Sequence, residues 1–409
     1  MSKQISDEAF IEAWNRCGGS PTAVSKDLGI GVRAVYDRRN MIEARCNIKL
    51  KTNSANPAYQ NPAAAELQSE IRTLKAQLDA VKRETLDQEY VRRKIFKMAE
   101  ANVTQPSWLL PAKAPKGSPG VPTLLASDWH WGEIVDPSQI NGVNEYNLEI
   151  AHRRARRLIE TTISLLKHHM VNPDYPGIVF ALGGDMVSGD IHEELMATNE
   201  VEIMPVVLDL FGVLCWCIET LVDHFGRAFV PCVGGNHGRN THKIRAKGRN
   251  HTSFDWLLYC FLAKRFEGDK RVTFQIPNGS DASFAVYGHR YLLTHGDQFR
   301  GGDGVIGALG PIIRGDHRKR TRQSQIGSEY DTMLLGHWHQ LIQLRRLIVN
   351  GSLVGYNEYA YINNFPYEPP QQALWLTHPE RGITFSMPVQ VEGRVEHKSS
   401  SWVSWVEVA

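Results

Sequence analysis

The order of apolar patterns predicts an α/β domain over residues 121–409, preceded by a small all-α helix-turn-helix domain over 1–50 and a helical, coiled-coil arm over 64–102. Three observations lead there. Beyond residue 121 short β-type runs alternate with long helical patterns; beyond Val272 the β-type runs follow one another closely; before residue 50 three short helical patterns are punctuated by glycines. With 409 residues the chain exceeds one ordinary core.

In the head, a helical pattern from Ala9 to Cys17 ends at Gly18-Gly19, Ser20-Pro21 opens a second, and Gly29-Ile30-Gly31 precedes a third. Ser20 suits an N-cap with Pro21 at the first helical position, small Ser25 lets helices approach, and Gly29 takes the turn. Ala23, Val24, Leu28, Ile30 and Val35 then form the packed side. The third helix carries Arg33, Tyr36, Arg38 and Arg39, the types that contact phosphates and base edges from a major-groove helix. A three-helix module that binds protein, or simply folds, is the alternative.

Residues 51–63, KTNSANPAYQNPA, are polar and aperiodic and read as a linker. In the arm Leu67, Ile71, Leu74, Leu78 and Val81 alternate steps of four and three, the pattern of a short coiled-coil seam that would pair two copies into a dimer. A helix packed on its own chain fits the same spacing. A second linker, 103–120, contains PAKAPKGSPG.

In the large domain Pro122 to Ala126, Ile178 to Leu182 and Ala228 to Val233 are β-type, with helical patterns from Tyr146 to Met170 and from Val201 to Phe225. The runs VTFQI, SFAVYG, RYLLTHG and TMLLGHWH and a strand-rich tail from Leu341 imply a second sheet, hence a sheet-on-sheet sandwich covered by helices. A formal charge of +2 makes no global case for a polyanionic partner. The six cysteines lack CxxC spacing and read as free thiols. The N-terminal MSKQISDEAF has no signal-peptide pattern, and no stretch reads as the ~20 apolar residues of a membrane span, so a cytoplasmic protein is expected.

Five motifs sit where β-type runs end: Ser127-Asp128-Trp129-His130, Gly183-Gly184-Asp185, Gly234-Gly235-Asn236-His237, Thr294-His295-Gly296-Asp297 and Gly336-His337-Trp338-His339. Together they follow the pattern DxH, GD, GNH, H and GHxH, and over residues 121–355 the chain resembles the calcineurin-like metallophosphoesterase family, with a likeness to its DNA-repair exonuclease branch. The resemblance implies a four-layer α/β/β/α sandwich. It also implies two divalent metals, with Asp128, His130 and His339 on the first, Asn236, His295 and His337 on the second, and Asp185 bridging them. Manganese is the first choice for such mixed ligands, with iron, zinc or magnesium possible. Two metals ~3.5–4 Å apart can hold a bridging hydroxide and neutralise an in-line displacement, with no protein nucleophile.

By the same resemblance His237 protonates the leaving oxygen or stabilises the pentacoordinate phosphorus. The family commonly places an acid directly after this histidine, where Gly238 stands here, so either another carboxylate orients His237 or the acid is less finely tuned. His192 is a secondary catalytic candidate. Between Gly238 and Asn250 lie Arg239, Lys243, Arg245, Lys247 and Arg249 without an acid, and Arg314, Arg318, Lys319, Arg320 and Arg322 cluster before His337. Of these, Arg239, Lys243, Arg245, Arg318 and Arg320 are the candidates for binding substrate phosphates. The expectation is a metal-dependent DNA nuclease, bacterial or phage-encoded, acting in the host cytoplasm. A phosphomonoesterase or small-nucleotide phosphodiesterase, and a DNA-binding regulatory or packaging accessory protein with a structural metal site, are the alternatives.

Overall fold

The computed structural model describes residues 5–52, 73–75, 104–110, 120–191, 193–301 and 307–392. The chain divides into two compact units, 1–93 and 94–409. His192, nearly all of the expected arm and most of both linkers lie outside the described residues; Thr73 to Lys75 of the arm are helical.

The first unit packs three helices: α1 (Asp7–Arg16), α2 (Pro21–Leu28) and α3 (Val32–Cys46). Ser20 caps α2 through the Ala23 N–H, Pro21 occupies the first turn, and Gly29 ends the helix at φ +64°, the left-handed conformation that glycine adopts without a Cβ penalty. Ser25 does more than make room, since its hydroxyl donates to the Ile30 carbonyl at 2.6 Å. Phe10, Trp14, Val24, Val35 and Ile42 form the buried core, with Leu28 and Ile30 at its margin. On α3, Arg33 and Tyr36 are exposed. Arg38 instead bonds the Ile5 carbonyl and pairs with Asp7, while Arg39 pairs with Glu43 at 3.1 Å and lies over the Trp14 ring. These two arginines hold the head together.

The second unit is built on two sheets. The first has the order β11-β10-β1-β2-β3-β4 and the second β5-β6-β7-β9-β8. In the first, β1 (Val121–Ala126), β2 (Ile178–Leu182), β3 (Ala228–Pro231) and β4 (Val272–Gln275) are parallel, and β10 (Gln371–His378) and β11 (Gly382–Gln390) extend the edge antiparallel. The second contains β5 (Asp281–Val286), β6 (His289–Thr294), β7 (Thr332–Leu335), β8 (Ile342–Leu344) and β9 (Leu347–Val349).

Side-chain alternation sorts these strands into layers, because successive residues point to opposite faces. Leu124, Ala126, Ile178, Phe180, Leu182, Ala228 and Val230 face α4 (Leu148–His168), α6 (Ile203–Phe225) and α7 (Phe254–Arg265). Their neighbours Leu125, Val179, Ala181 and Phe229 turn inward and meet Tyr291, Leu293, Leu334 and Ile348 of the second sheet. On that sheet's outer face Leu292, Met333, Leu335, Leu347 and Val349 pack on Ile312 of α8 (Leu309–Gln325). Each fully buried large apolar side chain contributes about 1.5–3 kcal/mol, and a one-residue slip would turn every such face outward. Two short helices complete the unit, α5 (Glu193–Thr198) and α9 (Glu358–Ile362).

Two expectations are corrected. VTFQI, grouped above with the later strands, is β4 and joins the first sheet beside β3. And α6 is long and apolar enough to cross a membrane by length and composition, although no stretch was expected to be. Its apolarity has a local cause: Leu210, Leu214, Ile218 and Leu221 are buried in the layer between the first sheet and its helices, with α4 and α7 packed alongside. All six cysteines are free.

Candidate metal centre

The C-terminal ends of β1, β2 and β3 in one sheet and of β6 and β7 in the other release the five motif loops at one end of the sandwich. Backbone bonds join these loops: Asp128 N–H donates to Gly184 O at 3.0 Å, His130 N–H to Asp185 O at 3.1 Å, and Gly336 N–H to His295 O at 2.9 Å. Five of the motif residues hold a positive φ: Asp128 at 57°, His130 at 46°, Asp185 at 49°, His337 at 70° and His339 at 51°. Side-chain-bearing residues occupy this region rarely, at a cost of order 1–3 kcal/mol each, and such strain clusters at functional sites. Gly235 and Gly336 are required by close approach, since a Cβ there would overlap the carboxylates of Asp185 and Asp128.

The loops bring all seven expected ligand residues into one cluster. Asp128, His130 and His339 present ligand atoms within 4.8 Å of one another, and so do Asp185, His295 and His337. A third set, His130, Asp185 and His237, links the two groups, since it takes His130 from the first and Asp185 from the second. His295 Nε2 lies 2.8 Å from Asp185 Oδ2 and 3.2 Å from Asn236 Oδ1, which places the amide in the second group. His130 Nε2 faces His339 Nε2 at 3.1 Å, and His339 Nε2 is 3.5 Å from Asp128 Oδ1. Backbone N–H groups anchor both carboxylates: His337 N–H donates to Asp128 Oδ1 at 2.8 Å and His237 N–H to Asp185 Oδ1 at 2.7 Å.

Electrostatics keep most of the imidazoles in their ligand form. Burial, reinforced by neighbouring histidines, holds His130 well below its ordinary pKa and lowers His337 to about 4 and His339 to about 3, so all three are neutral at pH 7. His295 differs. Burial lowers it, but Asp185 and Asp128 outweigh burial and raise it to about 10. The carboxylates diverge too. Burial pushes Asp128 up to about 7, whereas at Asp185 the same penalty is overcome by His295, His237 and His130, which hold it well below the usual range.

Several positioning groups had no motif. His295 Nδ1 is tied to the Gly183 carbonyl at 2.9 Å, which directs Nε2 into the site. His130 Nδ1 lies 3.3 Å from Glu133 Oε2, within ionic range though outside hydrogen-bond geometry, and Glu133 is held by Asn357 at 2.9 Å. His237 Nδ1 is 3.0 Å from the Ser188 carbonyl. That backbone oxygen orients the ring. Buried Asp255 instead joins two motif loops, because its Oδ2 accepts from the N–H groups of Asp185 at 3.1 Å and Gly235 at 2.9 Å. Asp255 lies directly under Gly238, where a Cβ would stand 2.8 Å from its Oδ1. The glycine that breaks the expected motif thus makes room for an acid from α7. No local pattern marks Ser188 or Asp255 in the sequence, because each acts from a distant segment.

The expected phosphate contacts separate into two kinds. Arg239 donates to the carbonyls of Asn236 at 2.7 Å and Thr241 at 3.0 Å, and Arg320 pairs with Asp316 at 2.8 Å and donates to the carbonyls of Tyr330, Asp331 and Arg346. Both bond backbone carbonyls in this structure. Lys243, Arg245 and Arg318 are exposed. Arg249 bridges its loop to that of His295 through Asp297 at 2.9 Å.

No protein-family model matches the chain, and no curated protein does. Among solved structures, it is similar to a conserved protein of Streptococcus pneumoniae TIGR4 described as a predicted phosphoesterase, at 10% identity and TM-score 0.25 over 62% of this chain and 82% of that one. It is similar to zinc-complexed Vps29 of Entamoeba histolytica at 10% identity and TM-score 0.26, over 66% of this chain and 100% of that one. The sulfate thiohydrolase SoxB of Thermus thermophilus aligns at 9% identity and TM-score 0.28, over 68% and 58% of the two chains. Superpositions this loose decide nothing about function.

Proposed function

We propose that the chain is a two-metal phosphoesterase that hydrolyses phosphodiester bonds in DNA. The observation that carries the reading is the convergence of two ligand groups, Asp128, His130 and His339 on one side and Asp185, His295 and His337 with Asn236 on the other, which the close approach of Asp185 to His130 links. The donor set fits divalent ions: two neutral imidazoles whose Nε2 atoms face each other at 3.1 Å, beside a carboxylate, direct lone pairs at one point. Manganese is the proposed ion, with iron, zinc or magnesium as substitutes.

When bound, the two ions supply Lewis-acid polarisation of the phosphoryl group and activation of the attacking water. The chain's own residues do the rest. Gly183 O sets the His295 imidazole, and Asp255 fixes the distance between the Asp185 and Asn236 loops. With Nδ1 held by Ser188 O, the half-buried His237 presents Nε2 as the nitrogen that delivers a proton to the leaving oxygen. Exposed Lys243 and Arg245, on the loop after Asn236, meet the substrate backbone. The rings of Tyr359, Phe365 and Tyr367, exposed just beyond Asn357, offer surfaces on which bases can stack. His192 remains a proposed neighbour of the substrate. The first unit serves as a DNA-binding helix-turn-helix through Arg33 and Tyr36, and residues 64–102 pair two copies as a coiled coil.

Incubation of the purified protein with Mn, Mg or Zn against linear duplex, single-stranded DNA, RNA and p-nitrophenyl esters tests this reading. Metal-dependent cleavage of DNA is expected, and Asp185→Asn should lower it at least about 100-fold while reducing bound metal. Absence of metal-dependent hydrolysis of every ester would refute it.

A further inference from the structure

The positive charge that the metal centre leaves unexplained converges on a cavity of about 310 Å³ between α8 and the loop after β6. Arg314, Arg318 and Arg322 recur at every fourth residue of α8 and line one wall, and Arg300 stands on the other. Like charges at this spacing repel by a few tenths of a kcal/mol per pair. The wall is firmly built. Gly315 brings α8 against the ring of Phe299, where a Cβ would overlap it, and buried Lys319 bonds Thr294 Oγ1 at 3.0 Å and pairs with Asp281. Asp281 also receives Arg322 at 2.6 Å. Among the described residues no carboxylate pairs with Arg300 or Arg318.

The cavity is adjacent to the metal centre along the chain. Thr294, which anchors Lys319, directly precedes His295, and Gln298 and Arg300 of the cavity wall follow His295 by three and five residues. Five residues span at most about 18 Å, so the cavity is within a few nucleotides of a phosphate held at His295. Guanidinium groups are donors suited to a phosphate, and Gln298, which gives one amide hydrogen to Thr294 Oγ1 at 3.3 Å, keeps a second for the cavity.

We infer that this cavity binds a non-scissile phosphate of the DNA strand whose neighbouring diester lies at the metals, so that the enzyme selects polynucleotides over small phosphoesters. The inference rests on the phosphoesterase reading of the metal centre. It rests on Arg300 and Arg318, with Arg314 and Arg322 on the same wall.

The test compares the full-length wild type with Arg300→Ala/Arg318→Ala and Arg318→Lys, all with Mn. Kinetics are read on a labelled single-stranded oligonucleotide and on bis(p-nitrophenyl) phosphate, which has no second phosphate. The preference for oligonucleotide, as the ratio of the two kcat/KM values, is expected to fall at least about 10-fold in the double variant, mainly through KM, with partial recovery in Arg318→Lys. The slope of log KM against log salt should fall by about one to two, one per lost phosphate contact. A ratio and slope equal to wild type would overturn the subsite and leave the metal-centre reading standing. Equal loss on both substrates would also overturn it, showing general damage. A wild type inactive on both esters would remove the phosphoesterase reading and the subsite with it.

Discussion

Gly238→Asp would restore the acid that the resembling family places after its histidine, yet in this protein it should damage the site. A Cβ at 238 would lie 2.8 Å from Asp255 Oδ1, 2.9 Å from Cγ and 3.1 Å from Oδ2. Asp255 is fully buried and cannot retreat without lengthening its bonds to the N–H groups of Asp185 and Gly235, now 3.1 and 2.9 Å. Hydrogen bonds to a charged group contribute about 1.5–3 kcal/mol each, and overpacking costs about 1–3 kcal/mol. Gly238→Ala is therefore expected to cost about 2–4 kcal/mol, and to lower Tm by roughly 3–6 °C. Gly238→Asp should cost more, because it adds a carboxyl beside one that burial already raises to about 6. Metal-activated hydrolysis should fall in parallel, since the two N–H groups belong to the loops of Asp185 and Asn236. Thermal melts of both variants, of Asp255→Gly and of the exchange Gly238→Asp/Asp255→Gly give the measurement, with the exchange recovering at least about 1 kcal/mol relative to additive loss. A Gly238→Ala protein that melts with the wild type and keeps its activity would refute the steric argument, as would strict additivity in the exchange.

His237→Ala should lower hydrolysis of an alkyl phosphodiester by about 10²–10⁴-fold, with a smaller loss on a p-nitrophenyl ester, whose leaving group needs no proton. Metal content by elemental analysis should stay at the wild-type level, and equal losses on the two esters would remove the acid from the mechanism. Burial alone would raise the Asp281 carboxyl, but Lys319, Arg322 and Thr294 hold it below the ordinary 3.8. A depressed carboxylate stabilises the fold above its unfolded pKa and loses that contribution as pH falls through the folded value. Wild type should therefore melt above Asp281→Asn at pH 7, with the gap closing below about pH 4; a gap that persists at acid pH would mean the contribution is not ionic. Removal of residues 1–50 should weaken DNA binding and flatten its salt dependence by about one unit per lost phosphate contact. Unchanged binding by anisotropy would move recognition to the basic loop after Asn236.

Local patterns in the sequence were enough for most of the described elements and for the motif residues that cluster. Short apolar runs located β1, β2 and β3, and Ser20, Pro21 and Gly29 located the ends of α2, because apolar runs, capping and left-handed turns are decided within a few residues. The motif residues Asp128, His130, Asp185, Asn236, His295, His337 and His339 were legible for the same reason: each needs a strand end, and most have a small neighbour. What required the tertiary structure was everything settled between distant segments. Strand order sent VTFQI to the first sheet and returned the tail strands β10 and β11 to its far edge, since pairing depends on which edges are available after the sheets pack. Whether an arginine is free for substrate depends on the carbonyls that surround it, which separated Arg318 from Arg320. The partner of His237 is a backbone oxygen 49 residues away, and the acid beneath Gly238 comes from α7. Backbone carbonyls carry no sequence signature, and a carboxylate placed by packing acquires its role only when the helix that carries it is seated.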